Sequence, residues 1–251
     1  MYTILLKGRI KMKYVLDAHT HTIASGHAYS TIREMAKSAS EKGLELLGIT
    51  EHSMKMPGTC QLFYFENLKV VDRKMYGVEL YMGAELNIMD YEGHVDMGEK
   101  TLEKMDIVIA SMHIPCIKPG TREENTNAYL EVMKNPYLHI IGHPDDARYE
   151  VDYLALVQSA KEHRVLLEVN NNSLDPRCGR QGGEENIRTM LKLCREYQAP
   201  VIVDSDAHAD SLVGSHQYVQ KILEELRFPE ELIVNRSVDE FKKYVNREKI
   251  L

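Results

Sequence analysis

Seven short apolar runs recur along the chain, separated by longer stretches of helical periodicity, and most of them stop at a histidine or an acid. The runs cover about 14–18, 46–50, 79–86, 107–112, 138–142, 165–170 and 200–205, lengths suited to buried parallel strands. Helical patterns fall between and after them, at Ser30–Lys42, Phe65–Met75, Glu124–Lys134, Val151–Glu162, Glu184–Tyr197, Ser215–Leu226 and Val238–Asn246. Ser30 is the expected cap of the first helix, with Ile32, Met35, Ala36 and Ala39 as its inward stripe. Strands alternating with helices imply right-handed crossovers and a parallel sheet. Seven such units predict an α/β fold, a distorted (β/α)7 barrel that is an incomplete relative of the eightfold one.

No internal repeat, low-complexity tract or linker divides the sequence, so a single domain is expected over residues 12–251. Met12 stands immediately before the first core strand, and residues 1–11 are read as an N-terminal extension. With 43% hydrophobic and 27% charged residues the composition is that of a soluble globular protein. No run of about 18 apolar residues is present to span a bilayer. A formal charge of −7 argues against a face built to hold long nucleic acid, but leaves small anions open, because bound cations dominate the local field of such a site. Cys60, Cys116, Cys178 and Cys194 form no Cys-x-x-Cys pair and are too few for a disulfide framework, which fits a reducing cytoplasm. No heptad seam or other interface pattern marks an oligomeric state.

Nine residues with metal-binding side chains lie at or just beyond the ends of these runs: His19, His21, His27, His52, Glu85, His113, His143, Asp206 and His208. A single histidine at a strand end is more often hydrogen-bonded or solvated than a ligand. Here the coincidence recurs on segment after segment. Alternate strand residues share a face, so His19-Thr20-His21 and Asp206-Ala207-His208 each aim two ligands into one space. In closed α/β barrels chemistry collects on the loops after the C-terminal strand ends, where these residues fall.

Four motifs, Asp17-Ala18-His19-Thr20-His21, Thr50-Glu51-His52, Gly142-His143-Pro144 and Ser205-Asp206-Ala207-His208, resemble those of the PHP (polymerase and histidinol phosphatase) family. His27-Ala28-Tyr29-Ser30-Thr31, Gly83-Ala84-Glu85-Leu86-Asn87 and Glu168-Val169-Asn170-Asn171 resemble most nearly its YcdX-type phosphatase branch. The resemblance spans about residues 12–245. It implies three divalent metal ions, zinc first, with manganese or iron as alternatives. His19, His21, Glu85 and Asp206 would hold one; Glu85 would bridge to a second on His113 and His143; His27, His52 and His208 would hold the third. The catalytic weight falls on Glu85, Asp206 and His208. One departure is visible: the family often has Thr-Asp-His where this chain has Thr50-Glu51-His52, which puts a supporting hydrogen bond in question.

The expected reaction is hydrolysis of small phosphate monoesters, because close cations acidify a water to hydroxide and neutralise phosphate charge. No activated side-chain nucleophile is apparent; Ser111 and Ser205 read as packing or hydrogen-bonding residues. Arg148, Arg177 and Arg180 are the candidate phosphate contacts, and Asn170 and Asn171 either orient substrate or make a turn. Alternatives are a histidinol-phosphatase-like activity, a phosphodiesterase or 3′–5′ exonuclease, and a metal-binding module without activity. His94, His139, His163 and His216 match no ligand motif and read as structural or solvated.

Overall fold

A computed structural model describes residues 13–246, so the N-terminal extension expected at residues 1–11 lies outside the described residues. The strands are β1 Leu16–Asp17, β2 Leu46–His52, β3 Lys74–Met75, β4 Val78–Asn87, β5 Ile107–Ser111, β6 Ile140–Ile141, β7 Leu166–Asn170 and β8 Val201–Asp204. All but β3 form one parallel path in the order β1-β2-β4-β5-β6-β7-β8. The helices are α1 Ile32–Glu41, α2 Leu62–Glu66, α3 Glu99–Leu102, α4 Arg122–Val132, α5 Tyr153–His163, α6 Gly183–Tyr197, α7 Gln217–Leu226 and α8 Val238–Val245. The result is a nearly closed barrel of seven parallel strands with helices outside it.

Strand alternation sorts side chains between two environments. On β7, Leu166 points inward with Leu16, Leu46, Ile107, Ile109, Ile140 and Ile202, while Leu167 and Val169 pack outward against the helices. Phe241 of α8, fully buried, joins the inner cluster. One step further along β7 the inward residue is Glu168, and on β4 the inward series runs from Tyr81 to Glu85. The barrel interior thus changes from apolar to ionisable within a few residues of each strand.

Between β8 and β1 the seam is closed by side chains. Asn235, fully buried, accepts from Val203 N (2.7 Å) and donates to Val203 O (2.7 Å) and Leu16 O (3.2 Å), and its own carbonyl accepts from Val15 N. Its amide stands in for a ladder that the short β1 leaves incomplete. Ala18 N donates to Asp204 and Ser205 N to Asp17, and a parallel bridge at Thr20 and Ala207 ends the join.

Three local expectations are corrected. Ser30 does not cap α1: Thr31 does, in a capping box with Glu34, while the Ser30 hydroxyl accepts from Asp210 N. The helix expected at Phe65–Met75 is only α2 and a 3-10 turn at Leu68–Val70, followed by β3 antiparallel to β4. Tyr76 and Gly77, with φ of 52° and 85°, make the two-residue turn, and left-handed backbone at both centres is what such a hairpin requires. Finally α3, a single short turn, was not expected at all.

Candidate metal centre

Eight of the nine residues lie at the C-terminal end of a strand or just beyond it. His52 ends β2 and Glu85 is in the last part of β4, while His19 and His21 follow β1, His113 follows β5, His143 follows β6, and Asp206 and His208 follow β8. His27 comes from the loop after a 3-10 turn at Ile23–Ser25. That turn ends at Gly26, where φ is 80° and a Cβ would stand 2.0 Å from Gly58 O, so glycine lets the His27 loop press against the loop after β2. Among the described residues, six that are not glycine have positive φ. Three are helix C-caps (Arg164, Gln198, Arg227) and Tyr76 is in the hairpin. The other two are His143 (30°) and Asp206 (52°), strained backbone held at candidate ligands.

Glu85 is the hub. Its Oε2 lies 2.6 Å from His52 Nδ1, 3.4 Å from His19 Nε2 and 3.5 Å from His21 Nε2; its Oε1 lies 2.9 Å from His143 Nε2 and 3.2 Å from His113 Nε2. Asp206 Oδ1 is 3.4 Å from His21, 3.7 Å from His19 and 3.5 Å from His208. His208 Nε2 reaches His27 Nε2 at 3.2 Å, so all nine are joined in one cluster. The ligand atoms of His19, His21 and Glu85, of His52, Glu85 and His113, and of His21, His52 and His208 lie within 4.8 Å of one another in each group. Glu85, His21 and His52 each belong to two groups and so mark the junctions. Burial is graded: His19, His21 and Glu85 are sealed, whereas His208 is partly open and His27 is exposed at the mouth.

Hydrogen bonds around the rim fix which nitrogen each ring turns inward. His19 Nδ1 donates to Glu168 Oε1 at 2.7 Å. Ser25 gives its proton to Glu51 Oε2 (2.6 Å) and therefore accepts from His21 Nδ1 (3.1 Å). Asn87 Oδ1 accepts from His113 Nδ1 at 2.8 Å, and the Asp206 carbonyl from His208 Nδ1 at 3.0 Å. Nε2 of each ring then faces the cluster. With Nδ1 protonated, a neutral ring such as His113 offers a lone pair there, so acceptor faces acceptor 3.2 Å apart at Glu85 Oε1.

That conflict tests whether a cation fits. His113 Nε2, His52 Nδ1, His143 Nδ1 and Glu85 Oε2 are buried without a hydrogen-bond partner, a costly state for native polar groups. Bonds of about 2.1 Å in a tetrahedral site give ligand-to-ligand edges of about 3.4 Å. Among His19, His21, Glu85 and Asp206, the separations are 3.1 Å between the two histidines and 3.4–3.7 Å from each histidine to the carboxylates. The residues fit a divalent ion with nitrogen and oxygen ligands.

The charges agree. Burial alone would raise Glu85, but His113, His52 and His19 hold it well below the carboxylate range. Burial is likewise overcome at Asp206, by Arg180 and then His19. Desolvation pushes His21, His27 and His113 down, His27 to about 4, so they are neutral imidazoles near pH 7, the form that binds metal. His19 goes the other way: burial disfavours its charge, but Glu168, Glu85 and Asp206 together outweigh burial and hold it well above the usual value. A proton on His19 is a cation that the side chains supply for themselves, beside the Arg180 guanidinium, and a metal ion would displace that proton.

The three candidate arginines separate. Arg180 lies in the cluster, its Nη2 2.9 Å from Asp206 Oδ2 and its Nη1 near Asn170 Oδ1 and Ser173 Oγ. Arg148 is clamped by Asp146, with Nε 2.9 Å from Oδ2. Arg177 pairs with Asp175 and its side chain is 79% exposed. Asn170 supports Asp206 and Glu168, whereas Asn171 caps backbone at the start of α7 through Tyr218 N and Val219 N. Glu51 makes no contact with the ligand atoms; its extra methylene lets it reach Thr22, Ser25 and Tyr64. His94 is exposed beside Asp90, His139 accepts from Val108 N, and His216 stacks on Tyr14. Ser205 donates to Asp17.

Sequence reasoning assigned no role to Glu168, Asn87, Ser25 or Asp145. A charged Glu168 inside an otherwise apolar strand is itself a signal, since unpaired acids are almost never buried. Asp145 is sealed with neither carboxylate oxygen hydrogen-bonded, and burial pushes it up to about 7 against the pull of Arg180. Nothing in its neighbourhood in sequence except His143 marked it.

Buried carboxylates ringed by imidazoles at the mouth of a parallel α/β barrel define a candidate metallohydrolase. Comparison with known proteins agrees with that class. The PHP domain model matches residues 17–175. A probable phosphatase of Clostridium novyi is 48% identical over 89% of this chain and 91% of its own, and a probable phosphatase of Acetivibrio thermocellus is 44% identical over 95% and 98%. The crystal structure of histidinol phosphate phosphatase from Lactococcus lactis, with zinc, L-histidinol and phosphate, superimposes with a TM-score of 0.56 at 15% identity, over 87% of this chain and 94% of that one. The chain belongs to the PHP domain family, and its class of activity is that of a phosphatase.

Proposed function

We propose that the protein hydrolyses small phosphate monoesters at this centre. The nine side chains hold three divalent ions: His19, His21, Glu85 and Asp206 for one, Glu85, His113 and His143 for a second, and His27, His52 and His208 for the third. Zinc is the favoured metal, with manganese or iron as alternatives that an imidazole and carboxylate set also accepts. The observation that carries this reading is the convergence of ring nitrogens from five histidines on the Glu85 carboxylate, with no hydrogen-bond partner at His52 Nδ1, His113 Nε2 or Glu85 Oε2 among the described residues. Zinc in the Lactococcus relative supports the choice of metal, and phosphate and L-histidinol there support a monoester, with histidinol phosphate among the compounds to assay.

Bound divalent ions supply an acidified water and neutralise charge on the phosphate oxygens. The protein's own groups do the rest. Glu168 and Ser25 hold the Nδ1 protons of His19 and His21 and so keep Nε2 directed inward. Arg180, nearly buried, balances the Asp206 charge and is the candidate arginine already in the cluster where a phosphate would arrive. Asp206 takes the guanidinium on Oδ2 and faces His208 with Oδ1, and Asp206, Glu85 and His208 are the residues to which the reaction is assigned.

A phosphodiesterase or exonuclease reading is disfavoured by the charge of −7. Among the described residues no helix is long and apolar enough to cross a membrane. The four free cysteines support the proposal of a reducing, cytoplasmic setting. The test is a comparison of monoester, diester and single-stranded DNA hydrolysis by metal-loaded protein. Monoester turnover abolished by chelation is expected, and preferential diester or DNA cleavage would overturn the assignment. Direct transfer to water inverts configuration at phosphorus, so a chiral, isotopically labelled thiophosphate monoester should report inversion. Net retention or a phosphorylated side chain would exclude direct transfer.

A further inference from the structure

We propose that Asp96, outside the ligand set, is a positioning residue that acts through Asn87 to hold His113 in the tautomer that leaves Nε2 free to bind a metal. The inference rests on reading the cluster as a metal centre, and it concerns three side chains in a line. Asp96 lies in the loop after β4; Asn87, fully buried, is the last residue of that strand; His113 follows β5.

The hydrogen bonds allow one orientation at each step. Asp96 Oδ1 accepts from Ser53 Oγ and from Asn87 N (3.0 Å), and its Oδ2 accepts from Lys55 N (2.8 Å) and Asn87 Nδ2 (2.8 Å). A carboxylate only accepts, so the NH2 end of the Asn87 amide must face Asp96. Its oxygen is then committed to the other side, 2.8 Å from His113 Nδ1, and that nitrogen must carry the hydrogen. The Nε2 lone pair is left 3.2 Å from Glu85 Oε1 with no hydrogen-bond partner. If the Asn87 amide were reversed, its NH2 would meet Nδ1, the ring would take the Nε2–H form, and the ligand atom would be lost. Asparagine has no preference between these orientations by itself. Asp96 supplies most of it through the shorter bond, seconded by the Ser53 carbonyl, which accepts from Asn87 Nδ2 at 3.2 Å, while the Ser53 hydroxyl fixes the carboxylate and accepts from Asn87 Nδ2 at 3.1 Å.

Asp96→Asn weakens the discrimination, because an amide in place of the carboxylate presents a donor to Lys55 N and Asn87 Nδ2 or to Asn87 N, and only the Ser53 carbonyl is left as an obligate acceptor for Asn87 Nδ2. Exchanging the two residues, Asn87→Asp with Asp96→Asn, restores an acceptor toward His113 and keeps the charge. Asp90→Asn, on the same connection but paired with exposed His94, is the control.

The experiment measures the 15N shifts of His113 in chelated protein at neutral pH, together with zinc stoichiometry and affinity in all four proteins. Wild type should show Nδ1–H only. Asp96→Asn should show a mixture of tautomers and bind its weakest zinc 10–100-fold less tightly, the range seen when a partner of a ligand is lost. The exchanged pair should recover most of both, and Asp90→Asn should match wild type. An Nε2–H ring in the wild type, or unchanged tautomer and affinity in a folded Asp96→Asn, overturns the inference. If Asp96→Asn does not fold, the wild-type tautomer and the exchanged pair still decide. Failure of wild type to bind zinc at all would instead count against the metal reading.

Discussion

The two ends of the barrel interior are built from the same strands and differ in what completes them. At the N-terminal end Leu16, Leu46, Ile107, Ile140, Leu166 and Ile202 meet one another and Phe241, and apolar contact satisfies every partner. At the C-terminal end the inward positions carry Glu85, Glu168 and Asp204, joined by the histidines that follow the strands, and several buried nitrogens and oxygens have no hydrogen-bond partner among the described residues. The first half is finished by folding. On the proposed reading the second is completed by cations, which assigns stability and function to different layers of one structure.

The largest expected effect breaks the upper layer alone. Glu85→Gln removes the carboxylate shared by two groups of candidate ligands. Because losing a mere partner of a ligand costs 10–100-fold, loss of this one should lower kcat/KM by about 100-fold or more. His94→Asn, at an exposed site, should leave the rate near wild type. Steady-state rates with measured metal content check this, and equal small effects would remove Glu85 from the centre of the account.

Phe241→Ala is the converse. Emptying a fully buried aromatic site should cost about 3–5 kcal/mol in urea unfolding, with metal stoichiometry unchanged at temperatures where the variant is folded. Coupled loss of metal would show that the two layers are not separable.

Acid should act on the upper layer. His27 titrates at about 4 in the folded chain, and His21 and His113 are also depressed by burial. The unfolded chain takes up these protons near pH 6.5, so these three groups make chelated protein less stable as pH falls from about 6.5 toward 4. His19, raised by its carboxylates, opposes this, its contribution being fully present below about pH 6.5 and lost as pH rises through its folded value. Buried Asp145, pushed up to about 7, and Asp204, raised well above its usual value, take up protons in the folded chain over the same interval and oppose the three histidines. Chelated Asp145→Asn should therefore lose melting temperature more steeply than wild type from about pH 6.5 to about 4, and an unchanged slope would contradict this. The smallest effect separates the arginines: Arg180→Ala should raise KM for monoesters, whereas Arg177→Ala, exposed on its loop, should shift stability by no more than about 0.5 kcal/mol and leave KM unchanged.

Most of the barrel was legible because buried parallel strands announce themselves as continuous apolar runs, and all seven fall where the runs do. The second helix misled because Phe65–Met75 has helical spacing, while the Tyr76-Gly77 turn recruits its end into a hairpin on β4. For the candidate centre, ligand types at strand ends were visible one by one. The residues that orient them were not, since Asn87, Ser25 and Asp96 carry no distinctive spacing and acquire their roles only when β4, β5 and the loop after β1 meet. The seam residue Asn235 was hidden for the same reason: it serves strands more than thirty residues away.

The central claim is that the upper layer is a metal cluster, and metal content tests it most directly. Elemental analysis of protein stripped by chelator, reloaded and freed of excess ion should give about three divalent ions per chain, with a higher melting temperature than the stripped form because ions bound only by the native state stabilise it. A stoichiometry near one, or no change in stability on loading, would contradict the account.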